Sequence, residues 1–70
     1  MTATTTEAQA TVLREIAAKY DEVVRAIRRV ATGNADDLLV DAIDRAVAQA
    51  DRFDGRNIIG WLTIIARRIQ

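Results

Sequence analysis

Cysteine, histidine and proline are all missing from these 70 residues. Without cysteine there is no disulfide framework, no thiol nucleophile and no thiolate metal site. Without histidine the usual general base and the commonest metal ligand are gone. Aromatic residues are down to one Trp, one Tyr and one Phe, which leaves almost nothing to stack on exposed bases. No apolar run is long enough to span a bilayer. The stretch Met1–Thr6 is threonine-rich and lacks the basic start and apolar core of a signal peptide. The expectation is a soluble, cytoplasmic chain with no membrane partner.

What is present is a chain in which half the residues are hydrophobic, too many for intrinsic disorder. The length allows one domain. A chain this short buries only ~60% of its unfolded surface, so the core is small and stability marginal. Ten basic side chains balance ten acidic ones, but unevenly. Residues 1–34 carry five bases against four acids, a net +1. Residues 35–51 carry five acids against Arg45, a net −4, and residues 52–70 carry four arginines against Asp54, a net +3. An acidic block followed by a basic block can make a two-faced surface.

Two breaks divide the chain, at Thr32-Gly33-Asn34 and at Asp54-Gly55-Arg56-Asn57. Both combine Gly with Asn or Asp, which tolerate turn conformations that helices cannot hold. The first segment, about Glu7 to Ala31, opens on a Thr6/Gln9 capping box. Its apolar residues Leu13, Ile16, Tyr20, Val23, Val24, Ile27, Val30 and Ala31 recur at spacings of three and four. Gly33 stands where a C-terminal helix cap is expected. The second segment, about Asp36 to Phe53, has the stripe Leu39, Ala42, Ile43, Ala46, Ala50 and Phe53. Asn34 is placed to cap it, and Asp36 and Asp37 suit the positive end of its dipole. The third, from about Ile58 onward, has Asn57 as its cap. Ile58, Trp61, Leu62, Ile65 and Ile69 form its stripe, widened by Ile59 and Ile64, and Trp61 reads as core. Arg67 and Arg68 fall in its last turn, which favours cations. The expected architecture is an all-α three-helix bundle over residues 7–70 behind a disordered tail of residues 1–6.

Catalysis has little to stand on. No Gly-rich phosphate loop, nucleophile–base pair or metal spacing occurs, so no catalytic residue, cofactor or metal is expected. Asp37, Asp41 and Asp44 share one helix face, but carboxylates on a rigid helix converge poorly on one cation.

The order of residues from Ala35 onward is more telling. Ala35-Asp36-Asp37-Leu38-Leu39-Val40-Asp41-Ala42-Ile43-Asp44-Arg45-Ala46 resembles the helix A-E-D-L-V-Q-E-T-F-L-R-A of the second conserved region of bacterial RNA polymerase sigma factors, extracytoplasmic-function class. The likeness continues in register. Asp51-Arg52-Phe53-Asp54-Gly55-Arg56 matches D-R-F-D-G-R, and Trp61-Leu62-Thr63-Ile64-Ile65-Ala66-Arg67 matches W-L-x-x-I-A-R. It covers about residues 10–69. The sequence departs from the pattern at Val40, where the family has Gln; at Ile43, Asp44 and Val47, where it has aromatics or Leu; and at Arg68, where it has Asn. The family's later domain, which reads the upstream promoter element, has no counterpart before Gln70, so the expectation is a sigma-like domain rather than a whole factor.

The resemblance implies two contacts. In the family this helix docks on the Arg-rich clamp helices of the largest subunit of core RNA polymerase, which here assigns the contact to Asp37, Val40, Asp41, Asp44 and Arg45. Asp41 holds the position of the family's Glu, and carboxylate–guanidinium pairs give such a contact attraction and orientation. The loop and helix that follow hold the non-template single strand of promoter DNA at the downstream element, which assigns DNA contact to Arg56, Asn57, Arg67 and Arg68. Asn57 is equally suited to capping. Two other readings stay open. One is an RNA polymerase adaptor, a phage-type activator or antitermination factor, that uses this fold without reading the promoter, with a second transcription factor or DNA-binding subunit supplying recognition. The other is a helical self-association module.

Overall fold

The capping box sets the first helix. In the computed structural model, which describes residues 6–70, α1 spans Glu7–Ala18. The Thr6 hydroxyl accepts from the Gln9 amide N–H and the Gln9 side chain accepts from the Thr6 N–H, each at 3.1 Å. Of the expected tail, residues 1–5 lie outside the described residues, and Thr6 is the N-cap of α1. Then follow α2 (Tyr20–Val30), α3 (Ala35–Ala48), a single 3₁₀ turn η1 (Ala50–Arg52) and α4 (Ile58–Ile69). Among the described residues every regular element is helical.

The bundle has four helices rather than the three expected, because the first segment is broken at Lys19. That residue leaves helical geometry at φ −123°, ψ 30°. Its N–H still bonds the carbonyls of Glu15 and Ile16, and its own carbonyl accepts from Val23. The break lets each half follow its own partner: α1 lies against α3 and η1, whereas α2 packs mainly on α4. Val12 and Ile16 stay buried on α1, and Val23 and Ile27 on α2. Leu13 and Tyr20, expected on the apolar stripe, are instead 42% and 47% exposed.

The end of α2 also differs from the expectation. Gly33 is not the helix cap, since the only positive φ among the described residues is at Gly55, 85°. Ala31 ends α2 in an extended conformation. The exposed carbonyl of Val30 is instead met by the side chain of Gln70, whose Nε2 donates to it at 2.8 Å. The Gln70 Oε1 accepts from the Thr32 N–H at 2.7 Å and from the Thr32 hydroxyl at 3.0 Å. The C-terminus of α4 therefore sits on the C-terminus of α2. Ile59, near the start of α4, lies beside Glu22, Arg25, Ala26 and Arg29 of α2, so the two helices run parallel.

The core forms where α4 is enclosed. Ile58, Leu62, Ile65 and Ala66 are buried there with Val23 and Ile27 of α2 and Leu38, Leu39, Ala42 and Ala46 of α3. The Ala-rich stripe of α3 is fully enclosed at Ala42 and Ala46, as small residues permit at close helix contacts. Gln9 ties α1 to this layer by donating from Nε2 to the Val47 carbonyl at 3.2 Å. The radius of gyration, 11.7 Å, is near the ~11 Å of a compact domain of this length.

Candidate functional site

α3 is capped as the sequence predicts. The Asn34 side chain accepts from the Asp37 N–H at 3.1 Å, and Asp36 and Asp37 occupy the first turn. From this start, buried Leu38, Leu39, Ala42 and Ala46 occupy one face. The helical period then puts Asp37, Val40, Asp41, Asp44 and Arg45 on the opposite face, and all five are exposed. Val40 is 58% exposed, more than Leu13, Tyr20 or Ile64. The arrangement is a carboxylate ridge of Asp37, Asp41 and Asp44 flanked by one apolar side chain and one guanidinium. It is a surface able to meet a basic helix by charge and by contact. Among the described residues no three potential metal ligands converge.

The connection to α4 is built locally. Asp54 accepts from the Arg56 N–H at 3.0 Å, a turn of the Asx kind, and Gly55 takes the left-handed conformation that turn requires. Asn57 caps α4, its Oδ1 accepting from the Gly60 N–H at 3.0 Å. The helix thus occupies one end of the Asn57 side chain, and only its Nδ2 remains to donate elsewhere. A Cβ on Gly60 would stand 2.8 Å from that Nδ2, so glycine leaves room for the capping amide. Trp61 is half-buried against Phe53, with ring centroids 5.1 Å apart and planes tilted by 35°.

Arg56, Asn57, Arg67 and Arg68, expected as one DNA-contacting group, are all exposed but fall into two places. Arg56 and Asn57 precede α4, whereas Arg67 and Arg68 are in its last turn. Ten residues of helix separate Asn57 from Arg67, about 15 Å along the axis. Two features escaped the sequence reading. Ile64, expected to widen the buried face, is 50% exposed, one turn before Arg68. Arg52 shares a shallow surface hollow with Asp54, Asn57, Gly60, Trp61 and Ile64. A charge count over residues 52–70 hinted at this side of the molecule but not at its division.

No helix of the described residues is long and apolar enough to cross a membrane. No family model, curated protein or solved structure matches the chain.

Proposed function

We propose that this chain is a sigma-like transcription domain that docks on core RNA polymerase through the exposed face of α3, against the Arg-rich clamp helices of the largest subunit. The observation that carries the reading is the two-sidedness of α3. Asp37, Val40, Asp41, Asp44 and Arg45 are all exposed on one face, while the opposite face builds the core. The motif order from Ala35 to Arg67 supports the same reading. In such a contact the carboxylates set orientation and on-rate, and Val40 supplies apolar area at the centre. Arg56, Asn57, Arg67 and Arg68 are the groups of this domain that would contact the non-template strand of the promoter.

One observation favours a variant of this reading, an adaptor that docks without holding melted promoter DNA. The DNA-contacting group is split along α4, and Trp61 is engaged with Phe53. Single-strand capture draws on stacking surfaces as well as cations.

A pull-down of core RNA polymerase tests the shared claim. Asp41→Arg places a cation against a basic partner, and capture is expected to fall at least about tenfold, since like charges at an interface oppose binding by more than ~1.4 kcal/mol. Undiminished capture overturns docking through α3. Binding of single-stranded promoter DNA separates the two variants: Arg67→Ala with Arg68→Ala weakens it in a promoter-contacting domain, and no binding by either protein leaves the adaptor.

A further inference from the structure

The tertiary structure assembles a basic surface that no single segment contains. Arg25, Arg28 and Arg29 are exposed on α2. Arg25 and Arg29 border a hollow together with Glu22, its other wall including Ile59 of α4. From Ile59 the row Thr63 and Arg67, spaced four apart, runs to the C-terminus of α4, turning about 80° round the helix on the way. There the Gln70 clasp on Val30 and Thr32 joins it to the end of α2. Arg67 is thereby brought to the end of the bundle that carries Arg28 and Arg29. Arg68 follows the other edge, behind Ile64.

Cations in a last turn offset the helix dipole, but two parallel C-termini supply only about half a negative charge each, fewer charges than Arg28, Arg29, Arg67 and Arg68 provide. No acid lies between Glu22 and Asp36, and none follows Asp54. Asp36 and Asp37, the acids nearest this end, belong to the first turn of α3, where the helix N-terminus favours them.

We propose that Arg25, Arg28, Arg29 and Arg67 form a binding surface for the phosphate backbone of duplex DNA, without base readout. All four are arginines, whose planar fork matches phosphate oxygens two at a time and sheds water more readily than an ammonium. Their one exposed aromatic neighbour is Tyr20, which borders a hollow with Arg25 at the start of α2, away from Arg28, Arg29 and Arg67. Trp61 leans on Phe53 at the other edge of α4. A single-strand site needs stacking rings, and a membrane-surface site needs apolar anchors beside its cations; Ile59, the apolar residue here, is half-buried between the helices. The proposal does not depend on α3 being a polymerase-docking face.

The test is a fluorescence-anisotropy titration of a labelled random-sequence DNA duplex at several salt concentrations. Four phosphate contacts predict that the logarithm of affinity falls against the logarithm of salt with a slope of about −3 to −4. Arg25→Ala/Arg28→Ala/Arg29→Ala is expected to reduce affinity at least about tenfold and to flatten the slope by about 3, and Arg67→Ala alone to flatten it by about 1. Should the triple variant fail to fold, Arg67→Ala decides. Wild-type slopes in the variants overturn the proposal. So does tighter binding of the wild type to phosphatidylserine vesicles than to the duplex, or single-strand binding that falls in the Arg25→Ala/Arg28→Ala/Arg29→Ala variant as far as duplex binding does. The triple variant is expected to retain core RNA polymerase in the pull-down; loss of polymerase with duplex binding intact assigns these arginines to the protein interface and overturns the proposal. Absence of duplex binding by the wild type overturns it while leaving the α3 reading to its own test.

Discussion

Single side chains fix the ends of the helices. Asn34 and Asn57 both place a side-chain oxygen on the N–H three residues ahead, satisfying a donor that the helix cannot. Asn57 matters doubly, since it stands among the residues expected to contact DNA. Asn57→Ala is expected to lower unfolding free energy by about 1 kcal/mol, with Asn57→Asp keeping most of the cap. In urea unfolding monitored by circular dichroism, equal losses in the two variants would show that the amide serves something other than the helix. Gly60 is part of the same device. Gly60→Ala gains about 1 kcal/mol of helix propensity, but its new Cβ meets the Asn57 Nδ2 at 2.8 Å. The gain is therefore expected to be offset as the capping side chain is displaced.

At the scale of elements, the break at Lys19 distinguishes the molecule from what its hydrophobic period describes. Ile16, Tyr20, Val23 and Ile27 continue one helical stripe without interruption, and no Gly or Pro marks a stop. The break is imposed by packing, because α1 and α2 find different partners. A local sign was present in Asp21 and Glu22, which stand in the first turn of α2, where acids are favoured. α2 has no side-chain cap, so the N–H groups of Tyr20, Asp21 and Glu22 are its free donors. Native-state hydrogen exchange is expected to be fast at these three amides and slow at Val23 and Ile27. Protection running evenly from Ile16 to Ile27 would show one continuous helix.

For the whole molecule, the decisive fact is how much of the core depends on α4. Leu62 is 1% exposed and central to it, whereas Ile64, two residues on, is 50% exposed. Leu62→Ala is expected to cost about 2–5 kcal/mol through lost burial and a cavity, a large share of the stability open to so short a chain. Ile64→Ala is expected to stay within about 0.5 kcal/mol. Chemical denaturation of the pair checks the assignment, and similar losses would contradict it.

The sequence by itself determined the helical class, the caps at Thr6, Asn34 and Asn57, the turn at Asp54-Gly55, and the exposed face of α3. Each of these follows from neighbours within a few residues, where hydrogen-bond geometry and the helical period act directly. Only the tertiary structure decided the break at Lys19, the exposure of Leu13, Tyr20 and Ile64, and the clasp of Gln70 on Val30 and Thr32. The same holds for the parallel alignment of α2 and α4, which brings the last turn of α4 to the end of α2 that carries Arg28 and Arg29. These depend on which helix faces which. A hydrophobic stripe states that a face is buried, but not against what.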